Sequence, residues 1–228
     1  MLVYGKQVFF YILEHYPDMI NEIYLAKECD FKTFNKIAKS GFKIKKLDFK
    51  TAQSYARGGN HQGFLMDIKD FVFADFNEMK KNDFLIILCG ITDMGNIGAI
   101  IRTAYALGVQ GLIFSGNQLA MQNVIRTSSG AALGLPIVVK NDILGLINEL
   151  KQMNFTIYAA DKEGKEIHSL KLSNVKKKAL VLGSEGFGLS AKIIKKCDES
   201  IGIAMKNQFD SLNVSAAFAI LCDRMINE

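Results

Sequence analysis

Cysteine is sparse in this chain and stands alone where it occurs: Cys29, Cys89, Cys197 and Cys222 include no C-x-x-C pair. That scatter argues against a disulfide framework and against a thiolate zinc site, so no metal is expected and a reducing compartment fits. Long apolar runs are also missing. The longest, such as Phe84 to Cys89 and Ala216 to Cys222, stop far short of the ~20 residues that a membrane-spanning helix requires. The start, Met1-Leu2-Val3-Tyr4-Gly5-Lys6, leads into Phe9-Phe10-Tyr11-Ile12-Leu13 but then meets Glu14, with no small-residue cleavage site. No signal peptide and no membrane partner are expected, and the cytoplasm is the expected location. Neither an internal repeat nor a low-complexity tract interrupts the chain.

What remains can build a substantial core: 228 residues, 49% of them hydrophobic, support one large domain or two modest ones. The formal net charge of +5 leans mildly toward polyanionic partners. The lysines gather early, in residues 1–68. From Lys32 to Lys50 the chain carries Lys36, Lys39, Lys43, Lys45 and Lys46 against Asp48 alone. Phe34, Ile37 and Ala38 fall among them at helical spacing, which predicts a helix packing one face and leaving the lysines in water. Residues 69–82 read as a linker, with Phe71-Val72-Phe73 as a short strand within it.

Residues 83–228 change to an α/β rhythm. Phe84-Leu85-Ile86-Ile87-Leu88-Cys89 is continuously apolar and ends at Gly90, as a strand buried on both faces should be. A helix is expected over about Ile97–Leu107, stopped by Gly108. Strands follow at Leu112-Ile113-Phe114, Ile137-Val138-Val139, Thr156–Ala159, Ala179–Leu182 and Ile201–Met205. Helices are expected near Met121, over Asp142–Met153, from Ser190 and over Val214–Met225. This alternation predicts a mostly parallel sheet covered on both faces.

Three segments of this half carry polar groups in a suggestive order. In Asp93-Met94-Gly95-Asn96-Ile97-Gly98-Ala99-Ile100-Ile101-Arg102, Asn96 is placed to cap the helix, and Gly98, Ala99 and Ala106 leave room around Arg102. Gly183-Ser184-Glu185-Gly186-Phe187-Gly188-Leu189-Ser190 joins a buried strand to a helix, where α/β sheets bind ligands. Its G-x-x-G-x-G spacing is neither the dinucleotide fingerprint nor a Walker loop. Glu185 repels phosphate and suits a sugar hydroxyl or an amine. Ser211-Leu212-Asn213-Val214-Ser215-Ala216-Ala217 opens the last helix, and Ser211 and Asn213 there could cap it, orient a ribose or hold a neighbouring loop. The three histidines, His15, His61 and His168, lie outside all three segments.

Together and in this order, the three segments resemble the motifs of the SpoU (TrmH-like) family of RNA ribose 2′-O-methyltransferases. The resemblance implies an α/β knot of SPOUT type, a trefoil threaded by the carboxy-terminal chain, working as a homodimer with S-adenosylmethionine as cofactor. It implies catalytic roles for Asn96, Arg102, Glu185, Ser211 and Asn213, and cofactor contacts from Gly183, Ile203, Met205 and Leu212. Arginine is locked as a cation, so Arg102 is expected to bind phosphate and stabilise an alkoxide, with the proton passing through that phosphate. Val3-Tyr4-Gly5-Lys6-Gln7-Val8, His61-Gln62-Gly63 and Arg126-Thr127-Ser128-Ser129-Gly130-Ala131, closing on Leu135-Pro136, look like the RlmB-type branch. That branch places a small α/β substrate-binding domain first and acts on a guanosine of 23S ribosomal RNA. Lys43, Lys45, Lys46, His61, Gln62 and Arg126 are then the expected RNA contacts. The chain departs from the family at Ala204, where proline is usual, and over the polar stretch from Lys206 to Asp210. A tRNA-directed enzyme of the family and a non-catalytic assembly factor of the same fold are the competing readings. A retired active site has no reason to keep Arg102, Glu185, Ser211 and Asn213 together. A phosphate-binding nucleotide protein is disfavoured by Glu185 and by the missing P-loop lysine.

Overall fold

Aspartate starts most of the longer helices. Asp30, Asp48, Asp93 and Asp142 each accept a backbone N–H from the residue three positions on, at 2.7–2.9 Å, which satisfies donors that a helix start leaves open. The computed structural model describes residues 1–170, 175–207 and 210–227. Within the Lys206–Asp210 stretch, Gln208 and Phe209 thus lie outside the described residues. In chain order come β1 (Leu2–Tyr4), α1 (Lys6–His15), β2 (Ile20–Leu25), α2 (Phe31–Ala38), β3 (Ile44–Lys46), α3 (Phe49–Tyr55) and β4 (Phe64–Ile68). They are followed by α4 (Phe76–Met79), β5 (Phe84–Cys89), α5 (Met94–Ala106), β6 (Gly111–Ser115), α6 (Met121–Thr127), β7 (Ile137–Lys140) and α7 (Ile143–Gln152). The last are β8 (Thr156–Glu166), β9 (Lys178–Leu182), α8 (Ala191–Ile194), β10 (Glu199–Gly202) and α9 (Val214–Ile226).

The chain divides into two compact units. The first is Met1–Val72 with Ala120–Leu133, the second Phe73–Leu119 with Gly134–Glu228. Residues 120–133 therefore group with the amino-terminal unit, which a division by linear sequence does not anticipate. The expected linker strand at Phe71-Val72-Phe73 is absent, and the linker instead carries α4 at Phe76–Met79, started by Asp75.

The first unit has a four-stranded sheet in the order β1-β4-β2-β3, with β2 and β3 parallel and the other pairs antiparallel. Val8, Phe9 and Ile12 of α1 are buried with Leu65, Met66 and Ile68 of β4, and the Phe9 and Phe64 rings lie 5.3 Å apart. In α2 only Ile37 is buried; Phe34 and Ala38 are exposed, so its apolar stripe is narrower than the spacing predicts.

The second unit has six parallel strands in the order β10-β8-β9-β5-β6-β7. Side chains alternate faces along a strand. Leu85 and Ile87 share a core with Leu146, Ile147 and Leu150 of α7. Ile86 and Leu88 are equally buried, on the face opposite. Both faces being covered, β5 has no need of polar residues. β10 ends at Gly202, so Ile203, Ala204 and Met205, expected to continue the strand, are released as loop. No helix among the described residues is long and apolar enough to cross a membrane.

Two outcomes follow from this packing. Ile87→Ala at the sheet centre should cost about 2–5 kcal/mol, read as a fall in the urea midpoint. Cys222 is fully buried on α9 and desolvation pushes its thiol up to about 12. It therefore stays protonated at pH 8 and should resist alkylation until the protein unfolds, as peptide mass mapping would record.

Candidate active site

Two strand ends, the middle of a third strand and one helix start close around a cavity of about 340 Å³ in the second unit. Gly183 to Leu189 after β9, Ile203 and Met205 after β10, and Ser211 and Leu212 before α9 all line it, with Asp161 and Lys162 from β8. Such crevices at the carboxyl ends of parallel strands are where α/β sheets bind ligands. Close backbone contact makes the walls. A Cβ on Gly183 would lie 2.2 Å from the carbonyl carbon of Gly188, and one on Gly202 would lie 2.6 Å from the Asp161 carbonyl oxygen. Neither distance admits a side chain.

β8 contributes residues that sequence patterns did not single out. Its pairing with β10 jumps from Ser200↔Ala159 to Ile201↔Lys165, so residues 160–164 are left out of the ladder. They bulge, and Asp161 turns into the cavity lining while accepting hydrogen bonds from the Ser200 hydroxyl and the Glu163 N–H, both at 3.3 Å. The available signal was the polar Asp161-Lys162-Glu163-Gly164 directly after an apolar strand.

The side chain of Asn96 does not cap α5. Asp93 holds that position, accepting the Asn96 backbone N–H at 2.7 Å. This leaves the Asn96 amide free for other work. Its Oδ1 accepts from Asn213 Nδ2 at 3.0 Å, and its Nδ2 donates to Glu185 Oε1. Asn213 in turn caps α9, its Oδ1 accepting the Ser215 N–H at 2.9 Å and the Ser215 hydroxyl at 2.6 Å. One hydrogen-bonded chain thus ties the three polar segments together. With both partners engaged, the Asn96 amide has a single sensible orientation.

Of the residues expected to act, Gly183, Glu185, Ile203, Met205, Ser211 and Leu212 line the cavity. Asn96 and Asn213 stand behind Glu185. Arg102 is exposed on α5 and outside the lining, and no described residue bonds its guanidinium. The expected RNA contacts lie in the first unit. Lys43, Lys45 and Lys46 are exposed, although Lys45 is paired with Glu22 at 2.7 Å. His61, among the expected RNA contacts, is buried, and its Nδ1 accepts the Gly63 N–H at 3.1 Å. Gln62 is exposed but its Oε1 accepts the Lys6 N–H at 3.0 Å, which supplies α1 with the cap that Gly5 cannot. The Arg126 guanidinium lies 5.3 Å over the Tyr4 ring, and its Nε is buried without a hydrogen-bond partner among the described residues.

The cavity suits a small, partly apolar ligand. Leu182, Ile201, Leu212 and Leu221 supply apolar wall, and Asp161, Glu185 and Asp210 supply carboxylates for an amine or for sugar hydroxyls. A phosphate would be repelled there. Fold and site thus define an α/β enzyme domain with a pocket for an uncharged or cationic small molecule, in a chain that also holds a small mixed-sheet domain. Residues 83–223 match the SpoU rRNA Methylase family, and residues 2–73 match the domain described as RNA 2′-O ribose methyltransferase substrate binding. The chain belongs to the SpoU rRNA methylase family and is an RNA methyltransferase.

Relatives cover it nearly end to end. An uncharacterized tRNA/rRNA methyltransferase of Borreliella burgdorferi is 33% identical, over 89% of this chain and 95% of its own. The 23S rRNA (guanosine-2′-O-)-methyltransferase RlmB of Haemophilus ducreyi is 28% identical, over 99% and 97%. Among solved structures, the SpoU methyltransferase AviRb of Streptomyces viridochromogenes in complex with AdoMet superposes with a TM-score of 0.78 at 20% identity, covering 99% of this chain and 89% of that one.

Gly183→Ala tests the cavity directly. The added methyl group should displace the loop at a cost of about 1–3 kcal/mol, and calorimetric titration should find binding of S-adenosylmethionine lost while the circular dichroism spectrum stays native.

Proposed function

We propose that this protein transfers a methyl group from S-adenosylmethionine to the 2′-hydroxyl of a guanosine in 23S ribosomal RNA. The observation that carries the reading is the hydrogen-bonded chain Glu185–Asn96–Asn213 beside a glycine-walled cavity, in a chain whose relatives at full length include enzymes of that name. When bound, the cofactor supplies an electrophilic methyl group. Gly183, Ile203, Met205 and Leu212 hold it through backbone groups and apolar contact. Asn96 fixes the Glu185 carboxylate, and Glu185 and Ser211 orient the ribose at the cavity rim, which removes much of the entropic barrier to in-line attack. Arg102 binds the phosphate next to the target ribose and stabilises charge developing on the 2′-oxygen, the phosphate taking up the proton.

The amino-terminal unit presents Lys43, Lys46 and Arg126 to the RNA in this reading, with Lys45 contributing once released from Glu22. A homodimer, a trefoil path for the carboxy-terminal chain and a cytoplasmic setting belong to the same proposal. Support for the dimer comes from Tyr105 on α5 and Ile220 on α9, apolar side chains that are 38% exposed.

The deciding experiment is transfer of radiolabelled methyl from S-adenosylmethionine to total RNA and to pre-assembled ribosomal particles from a strain lacking this protein. Label should enter 23S RNA, and Arg102→Ala should lower the rate at least about a hundredfold while leaving cofactor affinity unchanged. Label in the tRNA band would move the substrate and keep the chemistry. RNA binding without any label would favour the assembly-factor reading.

A further inference from the structure

At the scale of four residues the chain does repeat itself. Asp30-Phe31-Lys32-Thr33 and Asp48-Phe49-Lys50-Thr51 open α2 and α3 with the same geometry. In each, the aspartate accepts both the backbone N–H and the hydroxyl of its threonine: 2.9 and 2.8 Å at Asp30, 2.9 and 2.6 Å at Asp48. The caps satisfy these helix starts internally, so the helix ends themselves are not ligand sites. They do fix the direction of the residue that follows. That residue is a phenylalanine both times, and it is left in water: Phe31 is 81% exposed and Phe49 70%.

The two turns lie on one edge of the sheet. α2 follows β2 and α3 follows β3, and these strands are parallel neighbours, paired from Ile23↔Ile44 to Leu25↔Lys46. At the same strand ends a cavity of about 310 Å³ is lined by Lys27, Phe34 and Lys46, among others, with Glu28 as its acid. Phe34 is itself 40% exposed. Lys27, Lys32, Lys46 and Lys50 are all exposed, and none has an ion-pair partner among the described residues. Phe49 is backed on one side by His61, with ring centroids 5.7 Å apart, which gives that buried histidine a supporting role rather than a contact with RNA.

Exposed flat apolar rings interleaved with unpaired ammonium groups do not suit a protein partner, since protein interface cores are depleted of lysine. They suit a polyanion that offers flat apolar faces. A paired helix hides its base faces in the stack, whereas loops and bulges offer them. Resting on the RNA-methyltransferase reading, we propose that the twin Asp-Phe-Lys-Thr turns form a stacking site for unpaired nucleotides of the substrate RNA. Phe31 and Phe49 each take a base, and Lys32, Lys50 and Lys46 take the flanking phosphates. The amino-terminal unit thereby selects a single-stranded or looped segment.

The test uses the full-length protein and fluorescence anisotropy on two labelled RNAs of one sequence, unpaired or annealed to its complement. Phe31→Leu and Phe49→Leu should each weaken binding to the unpaired RNA roughly tenfold. The double variant should lose roughly a hundredfold, with duplex affinity, S-adenosylmethionine affinity and thermal midpoint unchanged. Phe31→Tyr with Phe49→Tyr should restore binding, because the flat ring is kept. Wild-type affinity in the double leucine variant would overturn the stacking site, as would equal loss on both RNAs or loss of a dimer by size exclusion. Failure of the wild type to bind either RNA would instead overturn the RNA reading on which the site rests.

Discussion

Backbone packed directly on backbone, after β9 and between the end of β10 and the middle of β8, is the constraint on which the active region rests. At Gly183 against Gly188, and at Gly202 against the Asp161 carbonyl, the chain passes itself with no room for a Cβ atom. With that closeness, the loop after β9, the end of β10, the middle of β8 and the start of α9 meet at one cavity. Beside that contact residues 160–164 leave the β8–β10 ladder, and Asp161 lines the cavity. The residues that give the site its chemistry are held by this arrangement and do not themselves create it.

On that frame the polar groups are locked by a short series of hydrogen bonds. Asp93 caps α5 and so releases Asn96; Asn96 holds Glu185 and is held by Asn213; Asn213 caps α9. Asn213 thus performs a structural task and a site task together. Such coupling makes the network rigid, because moving Asn213 away from Asn96 also opens the start of α9.

The two units divide the chemistry by charge. Carboxylates and apolar wall face the cavity of the second unit, an environment for a cationic sulfonium cofactor and for sugar hydroxyls. Exposed lysines and phenylalanines crowd one sheet edge of the first unit, an environment for a nucleic acid with bases free to stack. A modest overall net charge of +5 conceals this separation.

Much of the fold was legible in the chain itself. The unbroken apolar run of β5 announced a strand buried on both faces, and the alternation of strands and helices announced a parallel sheet. The three ordered polar segments could also be read, because each depends on neighbours a few residues away. What could not be read was which polar groups meet. Asn96 looked like a cap although Asp93 holds that place, His61 looked like an RNA contact although it is buried, and Phe34 and Ala38 looked like core. The partners of Asn96 lie 89 and 117 residues away in sequence, and only the strand order β10-β8-β9-β5-β6-β7 brings them within a hydrogen bond. Local pattern determined the elements and their apolar faces. Tertiary structure decided the site, because hydrogen bonds and close backbone contacts act over a few ångströms of space without regard to distance along the chain.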